Sequence, residues 1–283
     1  MEVIKTGQLG SQGEGLRASL SPIAVLHIPH SSRQVPEEER QAIRLDDAAL
    51  NSELLRMTDA YTDELFPSTP VEAARLVFPV SRLVCDVERF PSDGDEPMAA
   101  RGMGAVYTRT SRGEVLRAHP EAANRQTVLD HWYRPHHEML ERMVTDVTAR
   151  SGVCLIIDCH SFSSIALPHE PDQTAPRPDF CIGTDSFHTP PALRDAIFAA
   201  IEDEEYSVTV DAPFAGALVP LSSCRKDNRI LSVMIEVNRR LYMDEESGMK
   251  KHDFGRVSAV VGRLIVTAAE VAAQEAPTPV RGA

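Results

Sequence analysis

The sequence is poor in the features that would place it outside the cell or in a membrane. Its five cysteines (Cys85, Cys154, Cys159, Cys181, Cys224) form no Cys-x-x-Cys pair and are odd in number. Neither a disulfide framework nor a zinc ribbon fits them. No uninterrupted apolar run approaches the roughly 18 residues of a membrane helix. The first 21 residues contain no apolar core of a secretory signal. A reduced, cytoplasmic protein without a membrane partner is expected. Positive charge is also short, with 29 Lys and Arg against 42 Asp and Glu, a formal net charge of −13. Nucleic-acid binders need a basic stripe to displace counterions, so that partner is excluded. A few local arginines can still hold a small anionic substrate. Gly-x-Gly-x-x-Gly and Gly-x4-Gly-Lys-Ser/Thr loops are missing, and nucleotide chemistry goes with them. Ser161 and Ser163 stand beside His160, yet no Gly-x-Ser-x-Gly elbow surrounds them.

What is present reads as an α/β fold. Of the 283 residues, 42% are hydrophobic and 25% charged, an ordinary globular balance. Short apolar runs at 23–27, 75–78, 83–87, 153–158, 180–183, 207–210 and 232–237 predict strands. Most lack polar alternation, as expected of strands covered on both faces. Helical spacing occupies 46–66, 121–150 (restarting near Pro135), 191–204 and 254–273. Segments 91–118 and 161–178 are rich in Gly, Pro and Ser and predict long loops. No repeat or internal boundary is visible, so one domain over 1–283 is expected, its core about 22–273 and its termini mobile.

The informative residues follow the buried runs. Ligands of open α/β sheets bind beyond the carboxyl ends of the strands. The first run leads into His27-Ile28-Pro29-His30, the 83–87 run into Asp86-Val87-Glu88-Arg89, the 153–158 run into Asp158-Cys159-His160, and the 232–237 run into Glu236-Val237-Asn238-Arg239. Parallel strands would bring these His, Asp/Glu and Arg residues to one edge. Two imidazoles and a carboxylate make a three-donor zinc site with an open position for water. Bound there, the metal acidifies the water, and a further carboxylate can carry its proton to a leaving amine. Arginines would counter an oxyanion and grip a substrate carboxylate. Metal-assisted hydrolysis of an anionic amide is the chemistry this set suits. Blander roles apply to other residues. His27 reads as a hydrogen-bonded structural histidine. His131, His136 and His137 share a helix without the four-residue spacing of a helical metal pair. Cys85 and Cys154 read as small buried hydrophobes, whereas Cys159 lies close to candidate site residues.

Taken in order, the motifs resemble the N-formylglutamate amidohydrolase family. Those that carry the likeness are Pro29-His30-Ser31-Ser32, Ser81-Arg82-Leu83-Val84-Cys85-Asp86-Val87-Glu88-Arg89, Asp158-Cys159-His160-Ser161 and Ile235-Glu236-Val237-Asn238-Arg239. The stretch Thr58-Asp59-Ala60-Tyr61-Thr62-Asp63-Glu64-Leu65-Phe66 and the loop 102–107 add to it, and the whole covers about residues 25 to 245. The resemblance implies a three-layer sandwich of the phosphorylase/hydrolase type, similar to zinc carboxypeptidases and aspartoacylases, with a mixed, largely parallel sheet. It implies one zinc ion and release of formate from an N-formyl amino acid, typically N-formyl-L-glutamate in histidine breakdown. His30 and His160 become metal ligands, with Asp59 as the first choice for the third and Asp86 as the alternative. Glu236 becomes the general base and Arg82 the oxyanion partner, while Arg89, Glu88 and Arg239 fall among the substrate-binding residues. One position departs from the family pattern: Asp-x-Asn-Arg reads Asp86-Val87-Glu88-Arg89 here. A carboxylate where an amide is usual puts a like charge against an anionic substrate. Another N-formyl or N-acyl compound, or another amide, is therefore in contention. A rival from a different class is a non-catalytic sensor of an acidic metabolite. Retention of Glu236 and Arg82 speaks against it, since binding alone needs neither.

Overall fold

The computed structural model describes residues 23–68, 71, 73–117 and 122–275. The chain before 23 and after 275, where mobile termini are expected, lies outside these described residues. In chain order the elements are β1 (Ala24–Ile28), α1 (Glu37–Arg40), α2 (Asp47–Met57), α3 (Thr62–Leu65), β2 (Ala74–Val77), α4 (Ala122–Val128), α5 (Arg134–Ser151), β3 (Cys154–Phe162), β4 (Phe180–Gly183), α6 (Pro191–Glu202), β5 (Val208–Val210), β6 (Ile230–Asn238) and α7 (Phe254–Glu275). The strands form one six-stranded sheet in the order β2-β1-β3-β6-β4-β5. β2, β1, β3 and β6 are mutually parallel, and β4 meets β6 antiparallel before pairing in parallel with β5. This is the mixed, largely parallel sheet the sequence led us to expect.

Side chains alternate faces along a strand, and that alternation divides the core. Leu155, Ile157 and Cys159 of β3 and Leu231, Val233 and Ile235 of β6 meet the apolar stripe of α7 and that of α6. In α7, the fully buried Val260, Val261, Leu264 and Ile265 each contribute about 1.5–3 kcal/mol by leaving water. That helix is apolar and long enough, by composition alone, to cross a membrane, which the unbroken-run criterion had passed over. Half of its apolar window is buried within the fold, the position of a core helix. On the opposite face, Cys154, Ile156 and Ile230 pack under Leu140, Val144 and Val147 of α5. Past that helix the same face continues with Asp158 and His160 on β3 and Met234 and Glu236 on β6. The polar residues thus lie where the helix layer stops.

Several sequence expectations are corrected here. The run 83–87 is not a strand; it forms turns, closed by Val84 N–H to Ser81 O at 2.8 Å and by Asp86 N–H to Ala105 O at 2.8 Å. The 46–66 helix is broken after Met57. Thr58 is extended and Tyr61 sits in the left-handed region at φ 66°, so Asp59 occupies the gap between α2 and α3. The interruption expected in the 121–150 helix near Pro135 is present, and α5 begins at Arg134. One widened π turn at 129–133 carries α4 into α5, with Pro135 accepted in the first turn of α5. Cys159, expected close to the site, faces the α7 side and is core.

Candidate metal centre

β1, β3 and the α2–α3 gap converge at the carboxyl edge of the sheet. β1 ends at Ile28, two residues before His30, and the backbone N–H of Asp59 donates to His30 O at 3.0 Å, fixing the gap against the strand end. His30, Asp59 and His160 are all buried, and one donor atom from each lies within 4.8 Å of the others. Asp59 Oδ2 is 3.0 Å from His160 Nδ1 and 3.7 Å from His30 Nδ1. The opposite nitrogen of each ring faces its own buried carboxylate. His30 Nε2 is 2.9 Å from Asp86 Oδ1, and His160 Nε2 is 3.1 Å from Asp158 Oδ1. When Nε2–H donates to a carboxylate, the Nδ1 atom presents a lone pair. His30 Nε2 makes that bond, so its Nδ1 lone pair faces the Asp59 carboxylate, whereas His160 Nε2 has no hydrogen-bond partner and its Nδ1 hydrogen-bonds Asp59 Oδ2 at 3.0 Å. A cation at the point of convergence would take both Nδ1 atoms and the carboxylate oxygen. Carboxylates behind ligating imidazoles are the usual outer partners of a metal site. His30 Nδ1 is buried without a hydrogen bond, consistent with a position kept for an ion. The residues fit a divalent metal.

Asp59 is held firmly. Its Oδ1 accepts from Arg239 Nη2 at 2.8 Å, and its Oδ2 accepts from Ser161 N–H at 3.3 Å. Burial would raise its pKa, but the bond with His160, the nearby His30 imidazole and the Arg239 charge keep it well below the usual carboxylate range. Arg239, expected to bind substrate, is buried. Its guanidinium also bonds Ser161 Oγ at 3.2 Å and Arg56 O at 2.6 Å. This geometry gives it the task of orienting Asp59.

Asp86, the alternative third ligand, lies on the other side of the His30 ring from Asp59. Its Oδ2 accepts from Arg82 Nη2 at 2.8 Å and from the Tyr107 hydroxyl, while its Oδ1 also accepts from Glu88 N–H at 3.0 Å. Burial opposes its charge, yet Arg82 and His30 hold its pKa far down. It sets the ring of His30 and the head of Arg82 together. Arg82 Nη1 makes no hydrogen bond among the described residues and stands 4.0 Å from Asp59 Oδ1, open to a third party. Arg89 is a quarter exposed, with only long contacts of 3.6 Å to Asp86 and 3.9 Å to Glu96.

Glu236 faces His160 across the β3–β6 ladder. Burial pushes its carboxyl up to about 8, and its Oε2 has no partner. His30, Asp59, Arg82, Arg89, His160, Glu236 and Arg239 line a cavity of about 370 Å³, one wall of which is the loop after β3 through Leu167, His169, Glu170 and Pro171. That loop is tied down by Ser163 Oγ to Glu245 at 2.8 Å and by the Arg177–Glu170 ion pair. Glu88 lies at the cavity's margin, its Oε1 3.1 Å from His27 Nδ1 and its Oε2 3.8 Å from His160 Nε2. His27 is structural in the expected sense but busier than expected. Burial would lower its pKa, yet the bond to Asp158 at 2.8 Å and the neighbouring Glu88 carboxylate raise it to about 9. Its Nε2 meets His136 Nε2 at 2.8 Å. Two supporting residues escaped the sequence reading. Asp158 carried a legible signal, being two residues before His160 and therefore on the same strand face. Tyr107 ends the 102–107 loop that adds to the resemblance, but only the tertiary fold brings it to Asp86.

A buried carboxyl with a raised pKa and the open Nη1 of Arg82 stand beside a metal-competent His/Asp trio at the edge of a mixed α/β sheet, and the comparisons with known proteins identify the class as a hydrolase that acts on an amide. The sequence matches the N-formylglutamate amidohydrolase family over residues 23–243, and the chain belongs to that family. It is 25% identical over 252 residues to an N-formylglutamate deformylase of Pseudomonas putida, covering 86% of this chain and 91% of that one. The crystal structure of an N-formylglutamate amidohydrolase from Ralstonia eutropha superimposes with a TM-score of 0.76 at 21% identity, covering 92% of this chain and 96% of that one. A gene product of Agrobacterium tumefaciens has the same fold with a TM-score of 0.64 at 19% identity, over 89% and 94% of the two chains.

Proposed function

We propose that a single domain of this chain hydrolyses the amide of an N-formyl or N-acyl amino acid, with zinc as its metal and N-formyl-L-glutamate as the reference substrate. The observation that carries this reading is the convergence of two imidazole Nδ1 atoms on Asp59, beside the unpartnered Oε2 of Glu236. Held by His30, Asp59 and His160, a zinc ion would supply Lewis acidity to the amide carbonyl and to a water. Glu236 takes a proton from the attacking water and returns it to the departing nitrogen. Its buried, raised carboxyl matches that exchange near neutral pH. Arg82 offers Nη1 to the oxygen that gains charge as the carbonyl becomes tetrahedral. Arg89, at the cavity rim, grips the α-carboxylate of the substrate. The products are formate, or the corresponding acid, and the free amino acid.

The test is formate release from N-formyl-L-glutamate by purified protein, alongside elemental analysis. About one zinc per chain with turnover that is lost on chelation and restored by zinc is the expected result. A protein that takes up no metal when zinc is supplied, yet binds the substrate, would move the sensor reading ahead. Arg89→Lys is expected to raise KM for carboxylate-bearing substrates about tenfold with kcat little changed, because the two-pronged grip is lost. An unchanged KM in steady-state kinetics would place the substrate carboxylate elsewhere.

A further inference from the structure

The cavity at the metal centre has a larger neighbour. On the site-bearing face of the sheet, one side-chain row below His160 and Glu236, the register pairs Asp158 with Met234. These two residues belong to the wall of a second chamber of about 490 Å³. Glu88, Arg89, Ala215 and Met234 border both spaces, so the two chambers are separated by a single layer of side chains. Met234 is unbranched and adaptable, which makes it the movable part of that partition. Its tip occupies room left by Gly183, where a Cβ would come within 2.3 Å of the Met234 methyl carbon. From the loop side, Gly216 sits at φ +99° with nothing within 4 Å of a would-be Cβ, so the backbone there faces open space. Much of the remaining wall is apolar, including Val87, Tyr133, Leu218 and Val219.

The charge around this chamber decides what it will accept. Three carboxylates border it, Glu88, Asp158 and Asp185. Of its two arginines, Arg225 is two-thirds exposed and 3.6 Å from Asp185, and Arg89 is the one that takes the α-carboxylate in the amidohydrolase reading. Among the described residues, no cation is free to receive a second carboxylate there. Glu88 Oε1 is buried and accepts no hydrogen bond, so its desolvation is uncompensated except by the nearby His27. A further negative charge beside it would be opposed.

We propose that the second chamber receives the side chain of the substrate's amino acid, and that Glu88 and Met234 select an uncharged, apolar side chain over the carboxylate-bearing side chain of glutamate. The proposal rests on the amidohydrolase reading above. Arg89, shared by both spaces, holds the α-carboxylate at the boundary. The amide then lies toward Glu236 and the side chain toward Met234. The Glu88 carboxylate works here by exclusion, turning away an anion without contacting the reacting atoms.

The experiment compares three substrates on the zinc-loaded full chain: the N-formyl derivatives of L-leucine, glycine and L-glutamate, followed by formate release. The acyl group is constant, so the series reads the side chain alone. The expected order of kcat/KM is leucine, then glycine, then glutamate, with leucine ahead of glutamate by at least about tenfold, the selectivity that a few methylenes in an apolar pocket supply. Ala217→Phe narrows the chamber from its loop side, away from the metal donors, and should cut the leucine-to-glycine ratio about tenfold. Glu88→Gln should narrow the gap between leucine and glutamate by improving the glutamate derivative. A wild-type protein that prefers the glutamate derivative, or that turns over leucine no faster than glycine, overturns this inference and leaves the amidohydrolase reading standing. No formate from any of the three, with zinc bound, overturns both.

Discussion

Changing Glu236 to Gln should leave the metal content intact and lower kcat by about a thousandfold, within the range that general acid–base catalysis supplies. The substitution preserves shape and removes only the ability to accept a proton. The side chain lies on β6 among buried residues, in register with His160 on one side and Cys181 on the other, so the backbone fixes its position whatever its charge. None of the close contacts around the His30–Asp59–His160 trio involves a Glu236 oxygen, and metal uptake should therefore survive. Stability provides an independent check. In the metal-free protein the folded carboxyl is raised to about 8 by burial, above the value of an exposed carboxyl, so its ionisation destabilises the fold as pH rises from about 4.5 to about 8. Glutamine has no such titration, and the variant should melt no lower than wild type at pH 8. Elemental analysis, formate release and a thermal melt on the same preparation give the three readouts. A variant that keeps its metal and turns over within tenfold of wild type would remove Glu236 as the base.

The sequence was most legible where periodicity and site chemistry coincide. β3 and β6 announce themselves as unbroken apolar runs, and their real extents, to Phe162 and Asn238, simply carry the strands through the polar residues that first looked like loop. His160 and Glu236 therefore stand on strands rather than after them. The 83–87 segment misled because Leu83-Val84-Cys85 is buried for another reason: it is a turn whose Val84 and Cys85 pack with Ala105, Val106, Val128 and Leu129 and whose Leu83 packs with Leu50, Leu54 and Met57 of α2. Asp86 and Arg82 still reach the site, since a turn can aim side chains as well as a strand can. The helix break at Asp59 had no Gly or Pro to mark it. Tyr61 takes a left-handed conformation that its sequence does not favour, and tertiary bonds from Tyr61 to Gly248 O and from Tyr242 to Ala60 O hold the gap in place. Arg239 is a second case in which the fold adds what the sequence does not show. Its residue type suits substrate binding, and only the folded neighbourhood shows its donors committed to Asp59 and Ser161.

The donor set itself is tested by removing its members one at a time. His160→Ala is expected to abolish metal uptake and formate release together, because a three-donor site reduced to two loses both affinity and geometry. Asp59 keeps Arg239 and the Ser161 N–H as partners in that variant, so it is not left as an unpaired buried charge and the fold should persist. The two aspartates then separate by magnitude. Asp59→Asn removes a donor that both Nδ1 atoms face and should lose metal as completely as His160→Ala. Asp86→Asn leaves all three donors in place but weakens the bond that sets the His30 ring and the hold on Arg82. Its expected cost is about 10- to 100-fold in metal affinity, the range for an outer partner of a ligating histidine, with an added loss in kcat because Arg82 loosens. Competition with a chromogenic chelator measures the affinities, and circular dichroism confirms that each variant is folded. Full metal occupancy in His160→Ala would take that residue out of the set. Equal loss in the Asp86 and Asp59 variants would bring Asp86 into it, and would mean that the carboxylate behind the ring matters as much as the one in front of it.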